Sequence, residues 1–120
     1  MASVTGFGGA FLRADDPKAL ARWYEQHLGL ARTGTSFVLP EAGGPVALAF
    51  FSRDDPYLPA EQPVMLDLRV DDLDAVLDAL AAAGVEIDPR RDAFGFGRFG
   101  WFTDPAGNRV ELWEAPTGDA

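Results

Sequence analysis

The stretch DLRVDDLDAVLDALAAAGV, residues 67–85, is the second appearance of a pattern first written as FLRADDPKALARWYEQHLGL at residues 11–30. At an offset of 56, Leu12, Arg13, Asp15, Asp16 and Ala19 meet Leu68, Arg69, Asp71, Asp72 and Ala75. Leu28-Gly29-Leu30 then meets Ala83-Gly84-Val85, one residue out of step. Self-similarity at a fixed offset marks a repeated supersecondary unit.

Each copy reads as a strand, an acidic cap, an amphipathic helix and a glycine stop. Asp16 stands before Pro17, a residue suited to the first helical position, and Asp72 precedes the second apolar run. Leu20, Trp23, Tyr24 and Leu28 recur at helical spacing, as do Leu73, Val76, Leu77 and Leu80. Trp23 and Tyr24 are therefore expected on the core face of their helix. Gly29 and Gly84 suit the left-handed residue that ends a helix.

Shorter β-like runs follow each helix: 31–39 and 46–52 after the first, 85–88, 98–103 and 108–114 after the second. The expectation is an α+β chain of about eight strands, a single domain built of two βαβββ repeats over about residues 5–55 and 63–116. EAGGP at 41–45 and DDPYLPAEQP at 54–63 read as loops, and the second is not expected to carry structure. DAFGFGR at 92–98 reads as a glycine-spaced aromatic loop on the rim of a pocket. It lacks the Lys-Ser/Thr ending and following helix of a phosphate loop.

Composition narrows the function classes. With a formal net charge of −9 and scattered basic residues, the chain has no clustered Lys/Arg face for a nucleic-acid backbone. It has no cysteine, which removes disulfides, thiolate metal sites and a Cys nucleophile. No run approaches the roughly 18 apolar residues of a membrane span. MASVTGFGGA lacks the basic and apolar regions of a secretion signal, so the cytoplasm is the expected location.

Strand alternation assigns the faces. In MLDLRVD, Leu66, Leu68 and Val70 form the apolar set that can pack on helices, with Met65, Asp67 and Arg69 opposite. In the first strand Ala10, Leu12 and Ala14 go toward the helix, leaving Gly9, Phe11 and Arg13 opposite. In the last strand Val110 and Leu112 are helix-side, and Arg109, Glu111 and Trp113 face away. Asp104, Pro105 and Gly107 suit a type I hairpin turn that sets this register. A carboxylate at Glu111 is then either the polar side of a half-exposed strand or a functional acid on a concave face. His27, the single histidine, reads as a helix C-terminal residue that complements the dipole.

The duplicated pattern, ARWYEQHLGL and the closing FTDPAGNRVELWE resemble the glyoxalase/bleomycin-resistance/dioxygenase group, the vicinal oxygen chelate superfamily. The resemblance implies βαβββ modules rolled into a cup-shaped sheet, a homodimer and a site on the concave face. It also implies metal-ligand positions at Gly9, near Ala47 or Ala49, at Met65 and at Glu111, of which only Glu111 is competent. Asp67, two residues along the same face as Met65, is a second possible oxygen donor. No cofactor is expected on this donor set, since one carboxylate does not hold a catalytic metal.

The expected function is metal-independent binding of an aromatic or apolar small molecule, with Phe11, Met65, Asp67, Arg69, Arg98, Trp101 and Trp113 as binding residues. An acidic rim would favour a cationic ligand. One alternative is a lyase or isomerase, with or without a divalent metal, with Glu111 as general base and Arg69 or Arg98 facing the developing oxyanion. The other is a non-catalytic dimeric scaffold. Neither nucleic acid nor membrane is an expected partner.

Overall fold

The computed structural model describes residues 2–116. Strand β1 (Val4–Ala14) leads to helix α1 (Pro17–Leu28), then β2 (Arg32–Thr33), β3 (Ser36–Glu41) and β4 (Gly44–Ser52). After a linker come β5 (Val64–Val70), α2 (Leu73–Ala82), β6 (Glu86–Ile87), β7 (Asp92–Phe94), β8 (Gly97–Thr103) and β9 (Arg109–Glu114). All strands join one mixed sheet in the order β2-β3-β4-β1-β5-β9-β8-β6, with β7 on β8. The α+β expectation and the cup-shaped sheet hold. Among the described residues no helix is long and apolar enough to cross a membrane.

The helices start and stop where their chemistry requires. Asp16 accepts the Ala19 N–H at 3.1 Å and Asp72 accepts the Ala75 N–H at 3.1 Å, each at the N-cap. Past the C-termini, Gly29 has φ 71° and Gly84 φ 86°, the left-handed backbone that glycine tolerates best. One face of α1 packs Ala21, Leu20 and Tyr24 on Phe37 and Phe50. Leu73 and Leu77 of α2 pack on Val70 and Leu112.

Four expectations are corrected. Trp23 is half-exposed rather than core, and its ring lies over His27 with centroids 4.8 Å apart; Tyr24 alone takes the core position. Leu66 is 46% exposed, because α1 covers β1 and β4 while α2 covers β8 and β9, leaving the β5 side of the convex face open. Residues 92–94 form a strand paired to β8, with Phe94 opposite Gly97, so the glycine-spaced aromatic loop is a hairpin. Within EAGGP the turn spans only 42–43, and Glu41 and Gly44 are already paired.

The linker departs furthest from expectation. It turns into the cup and buries Leu58 against Phe11, Met65 and Trp101, with Tyr57 packed on the same cluster. Such irregular backbone carries carbonyls that need donors when it leaves water. Arg13 supplies them: its guanidinium donates to the carbonyls of Ser52, Arg53, Asp55, Leu58, Pro59 and Gln62 at 2.7–3.2 Å. The Gln62 side chain, itself buried, ties the linker's end to the Arg109 N–H and carbonyl of β9.

Charge-assisted bonds of this kind contribute about 1.5–3 kcal/mol each but are not additive. Arg13→Met is therefore expected to lower unfolding free energy by at least about 3 kcal/mol in urea titrations, and to open residues 54–63 to protease. A variant as stable and as resistant as the parent would show that the linker holds itself.

Candidate functional site

Four neighbouring strands, β1, β5, β9 and β8, bring all the predicted residues but Arg98 onto one concave surface; Arg98 lies on the other side of β8, bonded to Asp74 of α2. Asp67 lies in register with Glu111 and Arg69 with Trp113 between the parallel strands β5 and β9, and Trp101 pairs with Glu111 across β8–β9. The register is set by the 104–108 turn, in which Asp104 accepts the N–H groups of Ala106 and Asn108 and its carbonyl accepts Gly107 N–H. Phe11 and Met65 complete the surface from β1 and β5. Phe11, Met65, Trp101 and Trp113 are all buried, packed with Leu58 and Phe99.

Glu111 answers to two donors. Its Oε2 accepts the Trp101 indole N–H at 3.0 Å and the Tyr57 hydroxyl. Burial, then the charge of Glu111 and that hydrogen bond, push the Tyr57 phenol further above its ordinary value, so it acts as an O–H donor. Asp67 is 1% exposed, and burial followed by the neighbouring Glu111 holds its carboxyl well above the usual carboxylate range; the Arg69 charge opposes this only in part. Among the described residues Asp67 Oδ1 has no hydrogen-bond partner, and it lies where a side chain at Gly8 would have to be.

The family's metal positions fail on this geometry. Gly9 has φ 145°, and a Cβ there would overlap the backbone of Ala47, so the first position has neither a donor nor room for one. The second falls on Ala47 or Ala49 and the third on Met65, packed in the apolar interior. Among the described residues no group of three or more His, Cys, Asp or Glu side chains converges. Asp67 and Glu111 supply two carboxyls, too few for a zinc or hard-cation site.

The open space lies at one end of the cup. A cleft of about 650 Å³ is bordered by the β3–β4 turn at Gly43 and Gly44, by Arg69 at the end of β5, by Phe94 and Arg98 of the β7–β8 hairpin and by Glu114. Of the residues expected to bind, Arg69 and Arg98 border it, while Phe11, Met65, Asp67, Trp101, Glu111 and Trp113 lie beneath in packed interior. Arg98 donates to Asp74 at 2.9 Å. The sequence reading missed Tyr57 and Gly44, whereas the aromatic segment 92–98 that it placed on a pocket rim does border the cleft through Phe94. Tyr57-Leu58 between Pro56 and Pro59 was the one apolar signal in a linker otherwise written as a loop.

This curved sheet, with a buried acid on its concave face and tandem strand–helix units, defines a glyoxalase-like protein. The chain belongs to the Glyoxalase/Bleomycin resistance protein/Dioxygenase superfamily, whose family model matches residues 6–112. It is similar in structure to a methylmalonyl-CoA epimerase from Streptomyces coelicolor (TM-score 0.74, 16% identity, covering 96% of this chain and 100% of that one). A methylmalonyl-CoA epimerase from Mycobacterium tuberculosis is also similar (TM-score 0.69, 21% identity, 95% and 90% covered). So is a protein described as an NAD-dependent benzaldehyde dehydrogenase from Legionella pneumophila (TM-score 0.62, 14% identity, 90% and 98% covered). No curated protein matches the chain. At these identities the likeness establishes the fold, and the fold hosts more than one chemistry.

The Asp67 shift has a sign. A carboxyl held above its unfolded value contributes stability that is full below about pH 4 and lost as pH rises toward the folded pKa. Asp67→Asn removes that loss. Its stability relative to wild type is expected to rise between pH 5 and 8 by up to about 1.4 kcal/mol per pH unit, read from paired urea melts. A constant difference across that range would mean that Asp67 ionises normally.

Proposed function

We propose that this protein binds a small, planar or partly apolar molecule in the cleft beside Arg69, without a metal. The observation that carries the reading is the division of the concave face. The interior around Glu111 is filled by the chain's own Tyr57 and Leu58, while the space left for a ligand lies at the Arg69–Phe94 end. A concave site with an aromatic wall and a few fixed polar groups is the usual form of a small-molecule site. Family membership supports a small-molecule site, and the poor donor set among the described residues supports metal-independent binding over chelate chemistry. Elemental analysis of tag-free protein, with melting followed on adding Zn²⁺, Ni²⁺, Mn²⁺ and Fe²⁺, tests this. No bound metal and no saturable stabilisation is expected; one metal per chain, lost in Glu111→Ala, would overturn it.

A second reading draws on the Asp67–Glu111 pair. Two buried carboxyls in register suit proton transfer next to a carbonyl, with Glu111 as general base in a lyase or isomerase. It requires Tyr57 to withdraw, since Glu111 is 1% exposed. Solvent deuterium entering the α-position of an acyl thioester or keto acid, and lost in Glu111→Gln, would favour it over binding alone.

The proposal includes a homodimer, as the family resemblance implies. Phe7, Val64 and Leu66 stand exposed on the open convex face between α1 and α2, a position that supports a second copy there. Sedimentation is expected to show a dimer that Leu66→Glu dissociates; a monomer at micromolar concentration would remove this part.

A further inference from the structure

The repeat places Arg13 and Arg69 at equivalent positions, and the two arginines differ in one respect. Arg13 uses Nε, Nη1 and Nη2, all on linker carbonyls. Arg69, only 7% exposed, donates from Nε to the Phe7 carbonyl at 3.2 Å and from Nη1 to the Gly43 carbonyl. Among the described residues its Nη2 has no acceptor, and the side chain borders the cleft. Glycines make the room: a Cβ at Gly6 or at Gly44, where φ is 132°, would overlap the guanidinium. A buried guanidinium with two nitrogens anchored and one open is a pre-oriented anion donor.

The other charges of the cleft are engaged. Asp71 accepts the Ser3 N–H at 2.9 Å, Glu114 accepts the Leu73 N–H at 2.8 Å at the start of α2, and Arg98 is held by Asp74. The acidic rim expected to attract a cation is therefore occupied with caps and pairs. Two arginines and two acids border the cleft, so its lining has no net charge, and the chain's formal net charge of −9 disfavours a second negative charge on a ligand. Across from Arg69 the hairpin presents Phe94 and Phe96, both exposed and stacked with centroids 5.4 Å apart and planes 17° apart. Exposed, parallel aromatic faces at the edge of a cleft are unpartnered contact area.

We infer that the ligand of this cleft is an aromatic carboxylate, its carboxylate on Arg69 Nη2 and its ring against Phe94. The inference rests on the binding reading above and specifies its ligand class. A planar carboxylate takes the open N–H edge, and the ring covers the hairpin aromatics that the chain itself leaves bare.

The test is a calorimetric titration of the full chain at pH 7 with 2-naphthoate, 2-naphthalenemethanol, 2-naphthylmethylammonium and 2-naphthyl phosphate. Naphthoate is expected to bind at least about ten-fold more tightly than the other three. Phe94→Ala, at an exposed position, is expected to weaken naphthoate by about ten-fold without loss of fold. Arg69→Gln is expected to abolish the acid-over-alcohol preference. Because that variant also loses two backbone bonds, the preference in the unmodified protein carries the test if it does not fold. Alcohol or ammonium binding as tightly as the acid, or naphthoate indifferent to Phe94→Ala, would overturn the carboxylate inference and leave the cleft a planar-ligand site. Preference for the phosphate would replace the monoanion by a dianion. Silence from all four probes would sink both this inference and the binding reading beneath it.

Discussion

The donation of the Arg13 guanidinium to the carbonyls of residues 52–62 is the interaction on which the rest of this structure depends. A curved sheet with an open concave face must fill that face with ligand, water or its own chain. Here the linker between the repeats does the filling, and it can leave water only because one arginine satisfies its backbone acceptors. Tyr57 and Leu58 are thereby carried onto Phe11, Met65 and Trp101, and the middle of the cup becomes core.

That filling redistributes the chemistry. Glu111, at a position where the superfamily resemblance implies a metal ligand, meets a phenol and an indole instead, and Asp67 beside it is held as an acid by burial and by Glu111. Burying two acids side by side costs desolvation and like-charge repulsion, which protonation of Asp67 and the hydrogen bonds to Glu111 offset. What remains open is the end of the cup that the linker does not reach. There the equivalent arginine, Arg69, sits among glycines with one nitrogen uncommitted.

Duplication explains why the two ends differ while their strands do not. Leu12-Arg13 and Leu68-Arg69 occupy matched places on β1 and β5, each with the arginine on the concave side. The segment after β4 is a linker whose carbonyls turn onto Arg13, whereas Arg69 meets the carbonyls of Phe7 in β1 and Gly43 in the β3–β4 turn. Equivalent side chains therefore meet unequal surroundings. One closes a core, and the other borders a cleft.

Much of this was legible from the residues alone. The caps at Asp16 and Asp72, the glycine stops and the strand alternation that put Asp67, Arg69, Glu111 and Trp113 on one face all follow from local chemistry and spacing, and the closing FTDPAGNRVELWE carried the superfamily resemblance. Local signals act over a few residues, which is why they sufficed there. They misplaced Trp23 and Leu66, whose exposure depends on where each helix lies over the sheet. They also misread the linker as a bare loop, because the packing of Tyr57 on the core depends on Arg13, 44 residues earlier in the chain. Which residues share a face is a property of backbone period. Whether that face is filled or open depends on contacts between distant segments, and only the tertiary structure decides it.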